Sequence, residues 1–194
     1  MNSNKGHRGT TAGTLRVIGG KYRSRLIRVP ARPGLRPTPD RVRETLFNWL
    51  GQNLAGLACL DLFAGSGALG FEAASRGAAR VVMVEKDRAA AAELERNRTA
   101  LDAVQVSVVS GDATAFLERE HERFDVVFLD PPFRQNALPA VFDKLPPRLE
   151  PGARVYVESE TPVHVAPPWS ELKRARAGQV SYQLLQWNDN GEQP

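Results

Sequence analysis

The sequence predicts an α/β fold in which a doubly wound, mostly parallel sheet is covered by helices on both faces. From residue 57 onward, short apolar runs alternate with helical segments. This alternation indicates a parallel sheet, because right-handed crossovers place successive helices on opposite faces. The last two apolar runs follow each other without a helix and therefore predict a closing antiparallel hairpin. The chain has 194 residues, which is enough for one core and a small N-terminal extension.

The N-terminal extension, residues 14–50, is predicted to be a β-hairpin followed by a helix. Gly19-Gly20 is expected to form the turn of the hairpin. After a proline-rich loop, Thr38 is a good N-cap residue, with Pro39 expected at the first helical position and Asp40 in the first turn. The helix that follows has apolar residues on one side and charged residues on the other.

The remaining chain, residues 51–187, is predicted to form the main domain, with tails at residues 1–13 and 188–194. Every motif described below falls where a predicted strand ends, and ligands of doubly wound folds bind there. The expected strands are residues 15–18, 22–29, 57–63, 80–85, 104–109, 124–130, 154–158, 172–177 and 179–186, and the expected helices are residues 39–50, 68–76, 88–101, 113–120 and 138–145.

The composition restricts the possible functions. No run of 18 apolar residues is present, and the polar N-terminus lacks the apolar segment of a signal peptide. The single cysteine, Cys59, lies in an apolar run and is expected to be buried. Together with three scattered histidines it gives no metal-ligand spacing, so we expect a cytoplasmic protein without a metal ion.

The basic residues are concentrated at the N-terminus. Residues 1–43 contain eleven Lys or Arg and one acidic residue, a net charge of +10. Residues 44–194 contain fifteen basic and twenty-one acidic residues, a net charge of −6. Clustered basic residues are typical of a protein that binds a polyanion, although a solvated basic tail has the same composition. Most of these charges lie on segments predicted to fold, which favours nucleic acid.

A glycine-rich motif follows the first strand of the main domain. Residues 65–70 (GSGALG) match the pattern G-x-G-x-x-G between a predicted strand and a predicted helix. Glycines at these positions permit a tight turn and close approach of the backbone to a ligand. Taken alone, the motif fits a dinucleotide, whose pyrophosphate would lie at the helix N-terminus, equally well.

Acidic residues at three successive strand ends point to a different ligand. Asp61 precedes the glycines and would repel a pyrophosphate, whereas it would attract the ammonium and sulfonium of S-adenosylmethionine. Glu85 ends the second strand and can accept hydrogen bonds from both ribose hydroxyls. Asp112 can accept one from the adenine amino group, or it can cap the following helix. The predicted cofactor-binding residues are Asp61, Phe63, Ala64, Gly65, Ser66, Gly67, Glu85, Lys86, Asp112 and Ala113.

The fourth strand runs into the tetrad Asp130, Pro131, Pro132 and Phe133. Two prolines stiffen this loop and remove two backbone donors, which leaves the Asp130 carboxylate and the Pro131 carbonyl as fixed acceptors. Two such acceptors can hold both hydrogens of an exocyclic base NH2 group, and an aromatic ring can stack on the base. We therefore predict that the tetrad is the catalytic clamp of an amino-methyltransferase. Guanine, adenine and cytosine all present such a group, so the tetrad does not choose among them.

The ordered motifs resemble those of class I S-adenosylmethionine-dependent methyltransferases with a Rossmann-like sheet. A more specific resemblance covers residues 14–187. Residues 16–20 (RVIGG), 34–38 (GLRPT), 40–50 (DRVRETLFNWL), 157–160 (VESE) and 178–180 (GQV) resemble the bacterial methyltransferase family that modifies guanine 966 of 16S ribosomal RNA at N2.

This resemblance implies a substrate, 16S RNA in the small ribosomal subunit or its assembly intermediate, and S-adenosylhomocysteine as the product of the cofactor. It also implies that the N-terminal hairpin and the start of the first helix lie near the RNA and the mouth of the active site. A monomer that does not bind membranes is expected. The residues expected to contact RNA are Arg23, Arg25, Arg36, Thr38, Arg41 and Arg43.

Two other functions share parts of this pattern. A DNA adenine-N6 or cytosine-N4 methyltransferase uses the same type of clamp, but such enzymes usually carry an additional target-recognition domain for which this chain has little room. A nicotinamide-dependent oxidoreductase would use the same glycines, although Asp61 and the Asp130 tetrad argue against it.

Overall fold

The computed structural model describes residues 13–30, 38–132 and 136–188. Its elements in these ranges are β1 (Gly13–Arg16), β2 (Leu26–Val29), α1 (Asp40–Leu50), β3 (Ala58–Asp61), α2 (Ala68–Ser75), β4 (Arg80–Glu85), α3 (Arg88–Leu101), β5 (Val106–Ser110), α4 (Ala113–Arg119), β6 (Phe124–Leu129), α5 (Leu138–Lys144), β7 (Leu149–Ser159), β8 (Trp169–Ala177) and β9 (Val180–Trp187).

The strands β3 to β9 form one sheet in the order β5-β4-β3-β6-β7-β9-β8. The first five of these pair in parallel, whereas β9 pairs antiparallel with both β7 and β8. The predicted parallel sheet with a closing antiparallel hairpin is thus confirmed. Because the chain passes from β3 out to β5 and returns to β6 on the other side, the switch point lies between β3 and β6. The candidate site is expected at the carboxyl ends of these two strands.

Helices cover both faces of the sheet, as a doubly wound fold requires. On one face, strand residues such as Phe128 and Tyr156 pack with α1, α2, α3 and the hairpin β1-β2 in one buried cluster. On the other face, their neighbours Val127 and Val157 pack with α4 and α5. The alternation follows from the two-residue period of a strand, and it explains why these strands read as continuous apolar runs. Cys59 lies in the first cluster and is buried, as predicted.

The N-terminal hairpin turns differently from the prediction. The ladder ends at the pair of Arg16 and Leu26, and the chain between them makes a broad loop instead of a two-residue turn at Gly19-Gly20. These glycines allow the loop to approach α2, since a Cβ atom on Gly20 would lie 1.8 Å from the carbonyl oxygen of Ser75. The sequence thus indicates correctly that glycine is needed at these positions. The reason is the close approach to α2 and not a two-residue turn.

Two element boundaries also differ from the prediction. Helix α1 begins at Asp40 with Pro39 as its N-cap and no side-chain capping hydrogen bond, so the predicted cap by Thr38 is wrong. Strand β7 begins at Leu149 instead of residue 154, because its pairing with β6 continues across an irregular segment around Gly152. Proline and glycine in that segment concealed the strand from sequence rules, which treat both residues as strand breakers.

A buried carboxylate attaches the hairpin and α1 to the rest of the fold. Glu72 of α2 has no solvent-exposed surface and accepts hydrogen bonds from the backbone amides of Ile18 and Gly19, at 2.8 and 2.9 Å. It also forms ion pairs with Arg43 of α1, at 3.4 Å, and with Arg76, at 2.8 Å. One carboxylate therefore ties together three segments that are distant in the sequence.

The hairpin has a second attachment on α3. Asn97 is buried, and its amide side chain accepts a hydrogen bond from the backbone N–H of Arg28 at 2.9 Å and donates one to the Arg28 carbonyl at 2.8 Å. The side chain thus makes the pair of hydrogen bonds to β2 that a neighbouring strand would make. These contacts fix the hairpin against α2 and α3, the two helices that follow the strands with the cofactor motifs.

Among the described residues, no helix is long and apolar enough to cross a membrane. The same part of the chain contains no group of three or more His, Cys, Asp or Glu side chains arranged to hold a metal ion.

We expect the Glu72→Gln variant to lose about 3–5 kcal/mol of unfolding free energy, because it removes the counter-charge of Arg76 and leaves buried Arg43 with only the exposed Asp40. Urea denaturation followed by circular dichroism measures this loss. The matched control is Glu118→Gln, whose ion pair with Lys144 lies at the surface and should contribute less than about 1 kcal/mol. Equal losses in the two variants would show that Glu72 has no special role.

Candidate active site at the carboxyl edge of the sheet

The acidic residues picked out from the sequence converge at one edge of the sheet. Asp61 ends β3 and Glu85 ends β4, while Asp130 directly follows β6 and Asp112 follows β5 after Gly111. Because these four strands are parallel neighbours, their carboxyl ends meet at the same edge. The structure therefore brings together the residues predicted to bind the cofactor and those predicted to clamp the base.

The glycine-rich loop connects β3 to α2 in a tight turn. Gly65 and Gly67 both have positive φ angles, of 51° and 78°, and the amide of Gly67 donates to the carbonyl of Ala64 at 2.7 Å. A Cβ atom on Gly67 would lie 2.6 Å from a methyl group of Leu94. Both the backbone angle and the available space therefore require glycine at position 67. Ser66 is buried in the same turn.

Glu85 links the glycine loop to the start of α3. One of its carboxylate oxygens accepts the Gly65 amide and the other accepts the Asp87 amide, both at 2.8 Å. A carboxylate oxygen can accept more than one hydrogen bond. That arrangement is suited to the two adjacent hydroxyls of a ribose, and the two backbone amides hold the carboxylate in position for them.

Asp61 is buried beneath the loop. It accepts a hydrogen bond from the backbone amide of Gly70 at 3.0 Å. Burial raises the pKa of the Asp61 carboxyl to about 7, with a further contribution from the negative charge of Glu85. A group with this pKa gains from a positively charged ligand beside it, because the ligand charge stabilises the ionised form. The ammonium of an amino-acid moiety would supply such a charge.

Asp112 has the capping role that the sequence left open. Its side chain accepts the amides of Thr114 and Ala115 at the start of α4 and the hydroxyl of Thr114, and it forms an ion pair with Lys86 at 3.1 Å. The Thr114 hydroxyl and Lys86 lower the pKa of Asp112 to about 2. An adenine amino group would therefore share the oxygen that Lys86 contacts, and the Lys86 side chain, 76% exposed, is free to swing away.

Asp130 lies at the end of β6 with a strongly perturbed carboxyl. Burial raises its pKa well above the ordinary range, and the negative charges of Glu158 and Asp61 raise it further. In the described part of the chain, no hydrogen-bond donor reaches its carboxylate. Pro131 is buried and Pro132 is exposed, whereas Phe133 lies outside the described residues. A half-buried acceptor that no described donor reaches is suited to receive a hydrogen bond from a substrate.

Sequence reasoning gave no role to Glu158, which the structure places next to Asp130. It occurs in the motif 157–160 that contributes to the resemblance, and it is buried at the end of β7. A signal was available, because Glu158 is an acid at the end of a parallel strand, like the residues that were selected.

The site fits S-adenosylmethionine on the chemistry of its donor and acceptor groups. A buried carboxylate, Asp61, is matched to an ammonium, and the Glu85 carboxylate, held by the Gly65 amide, is matched to ribose hydroxyls. Two further predicted cofactor residues line the same turn, with Ala64 buried and Phe63 half-buried, and Ala113 is buried behind Asp112.

The residues predicted to contact RNA fall into different environments. Arg41 is exposed on the first turn of α1, and Arg36 lies outside the described residues. Arg43 is fully buried in the Glu72 ion pair, so its predicted contact with RNA is wrong. Thr38 is 6% exposed, and its predicted RNA contact is likewise not available on this surface.

Arg23 and Arg25 are exposed, but they lie on the closed end of the hairpin. This end packs at Ser75, the last residue of α2, and Arg25 donates a hydrogen bond to the carbonyl of Ala100 near the end of α3. Both helices run away from the carboxyl edge of the sheet. The two arginines are therefore remote from the glycine loop, and their contact with RNA stays a prediction.

The comparison with known proteins agrees with this geometry. A family model described as "Conserved hypothetical protein 95" matches residues 15–186. The chain belongs to this family. Over 186 residues the chain is 45% identical to ribosomal RNA small subunit methyltransferase D of Escherichia coli K12, covering 93% of this chain and 94% of that protein. It is 43% identical over 182 residues to the protein of the same name from Haemophilus influenzae, covering 90% and 94%.

Members of the family with solved structures share the fold. The structure of the Escherichia coli protein yhhF superposes with a TM-score of 0.83 at 46% identity, covering 91% of this chain and 99% of that one. The prediction of a Rossmann-like methyltransferase fold is confirmed, and the protein is a methyltransferase.

The raised pKa of Asp61 predicts that binding of S-adenosylmethionine depends on pH. Below pH 7 the unliganded carboxyl is largely protonated, and a bound ammonium lowers its pKa, so binding must release a proton. The Kd is therefore expected to rise as pH falls from about 8 to about 6, by at most roughly tenfold per pH unit. Isothermal titration calorimetry in buffers of different ionisation enthalpy measures both the Kd and the proton release.

The Asp61→Asn variant is the control for this experiment. It should bind more weakly at about pH 8 and show a flatter dependence on pH, because the titrating group is gone. A wild-type Kd that does not change with pH, or an identical slope in the variant, would contradict the proposed contact between Asp61 and the ligand ammonium.

Proposed function

We propose that the protein methylates the exocyclic N2 of one guanine in 16S ribosomal RNA, guanine 966, using S-adenosylmethionine. The observation that carries the proposal is the half-buried Asp130 carboxylate, which has no donor from the described residues and lies at the same sheet edge as Asp61 and Glu85. The names of the relatives support ribosomal RNA as the substrate. S-adenosylhomocysteine leaves as the product, and no metal ion is part of the proposal.

The chemical difficulty is the weak nucleophilicity of the guanine amino group. Its lone pair is delocalised into the ring, and S-adenosylmethionine supplies an electrophilic methyl group on sulfonium. Asp130 and the Pro131 carbonyl accept the two N2 hydrogens, which turns the lone pair out of conjugation and directs it along one line. As positive charge develops on N2, the Asp130 carboxylate stabilises it and then takes the released proton. The raised pKa of Asp130 is suited to this last step.

The RNA must present the base out of its stack. A guanine that is stacked inside an RNA helix cannot reach the Asp130 carboxylate at the carboxyl edge of the sheet. The target base is therefore unpaired or flipped out. Arg41, exposed at the start of α1, lies on the side of the site where the RNA backbone would approach, and phosphate contacts by such residues weaken as salt increases. The protein acts as a monomer on the small subunit or on an assembly intermediate.

Transfer of labelled methyl groups tests this function. The protein is incubated with labelled S-adenosylmethionine and either small subunits that lack the modification, naked 16S RNA, or duplex DNA. Label on guanine of 16S RNA is expected in small subunits. Label on adenine or cytosine, or on DNA alone, would replace the proposal by an N6- or N4-methyltransferase. Binding of a nicotinamide dinucleotide without binding of S-adenosylmethionine would overturn the reaction class.

The Asp130→Ala variant should separate catalysis from cofactor binding. We expect kcat to fall at least about 100-fold, because the acceptor that stabilises the developing charge is removed. The Kd for S-adenosylmethionine should stay within about threefold, since Asp130 is assigned to the base and not to the cofactor. Single-turnover kinetics and calorimetry provide the two values.

Glu85→Ala serves as the matched comparison, because its ribose role predicts loss of cofactor affinity first. Parallel losses of kcat and affinity in Asp130→Ala would show that its role is misassigned.

A further inference from the structure

The pairing of β6 with β7 places Glu158 beside Asp130. Leu129 is the last residue of β6 and pairs with Val157, so Asp130 and Glu158 are the next residues on neighbouring parallel strands. Neighbouring strands are about 5 Å apart, and residues at the same level point to the same face. The charge of Glu158 accordingly contributes to the raised pKa of Asp130. The two carboxylates therefore form a pair at the carboxyl edge of the sheet, where the target base is expected to bind.

Glu158 is held in position by two tyrosines but retains acceptor capacity. The Tyr156 hydroxyl donates a hydrogen bond to one of its oxygens at 2.8 Å, and Tyr182 is its cross-strand partner on β9. Trp49 of α1 stacks on Tyr182, with ring centroids 5.4 Å apart. Among the described residues, Glu158 has no ion pair and no donor other than Tyr156. The second oxygen of this buried carboxylate can accept a hydrogen bond from a ligand.

The three candidate bases differ in the atom next to the amino group that is methylated. In guanine, N1 beside the 2-amino group carries a hydrogen and donates. In adenine and cytosine, the ring nitrogen beside the amino group has no hydrogen and accepts. A second carboxylate next to the one that holds the amino group would therefore attract guanine and repel the other two bases. Asp130 alone gives no such distinction.

We propose that Glu158 is a specificity-determining residue, which accepts the N1–H hydrogen of the target guanine while Asp130 accepts an N2–H hydrogen. This inference rests on the proposed function and supplies what the Asp130 tetrad lacks, namely a reason for guanine. Tyr156 is the positioning residue that fixes one oxygen of Glu158 and leaves the other for the base. The donors of guanine also relieve the repulsion between the two carboxylates, which adenine and cytosine cannot do with the same geometry.

The test compares guanine with 2-aminopurine at the target position of reconstituted small subunits. 2-Aminopurine retains the 2-amino group, but its N1 accepts instead of donating. The assay is run at the alkaline end of the working range, where the carboxylate pair is most fully ionised. Wild-type protein is expected to prefer guanine by about 100-fold or more in kcat/KM, as expected for a site built around a hydrogen-bond donor of the substrate.

Two variants isolate the contribution of Glu158, because 2-aminopurine also lacks the O6 atom of guanine. Glu158→Gln can donate as well as accept, and Glu158→Ala does neither, so both should reduce the preference to less than about tenfold. The control is Glu160→Gln, an exposed acid two residues further on, which should keep the wild-type ratio. Thermal melting and the Kd for S-adenosylmethionine establish that the variants fold, and a neutral residue at this buried position is expected to be tolerated.

The outcomes separate this inference from the function on which it rests. A preference for guanine that is unchanged in both variants would overturn the role of Glu158 and leave the methyltransferase function intact. Loss of folding in both variants would show that Glu158 is structural and would also overturn its role. If wild-type protein methylates 2-aminopurine within about tenfold of guanine, N1 is not read at all. If wild-type protein does not methylate the guanine subunits, the proposed function and this inference fail together.

Discussion

Three carboxylates, Asp61, Asp130 and Glu158, lie on the same face of adjacent strand ends, where Asp61 and Glu158 are buried and Asp130 is half-buried. Burial raises the pKa of all three, and the negative charges of Asp61 and Glu158 both raise that of Asp130. Such a cluster persists only where the rest of the fold compensates for it or where ligands do. An ammonium beside Asp61 and the N–H groups of guanine beside the other two would each lower the electrostatic cost of the cluster. The described residues supply these carboxylates with little positive charge and few hydrogen-bond donors. The cofactor and the base are thus favoured because they supply them.

The second buried carboxylate system, around Glu72, serves the fold instead. Its acceptors are fully used by two backbone amides and two arginines, so it has nothing left for a ligand. It joins α1 and the N-terminal hairpin to α2, the helix whose first turn carries the amide that binds Asp61. The contrast between Glu72 and Glu158 separates a structural acid from a functional one. Both are buried, but only Glu158 has an acceptor oxygen without a partner among the described residues.

Local patterns predicted most of the sheet, whereas contacts between distant residues account for the errors. Strand β4 and helix α3 begin and end where the apolar periodicity places them, because buried strands and amphipathic helices carry their own signals. Arg43 was read as a surface residue, since nothing near it in the sequence reveals a partner 29 residues away. Glu158 was passed over for a similar reason. Its position beside Asp130 depends on the register of β7 against β6, and a single sequence does not encode that register locally.

A crystal structure of the protein with S-adenosylhomocysteine and guanosine tests the central claim most directly, which is that the strand-end acids form one site for cofactor and base. The account predicts the ribose hydroxyls on Glu85, the ammonium near Asp61, and the guanine N2 within hydrogen-bond distance of Asp130 and the Pro131 carbonyl. The N2 atom should face the sulfur of the cofactor product. A guanine that binds elsewhere, or that turns N2 away from Asp130 while the cofactor occupies its place, would contradict the account.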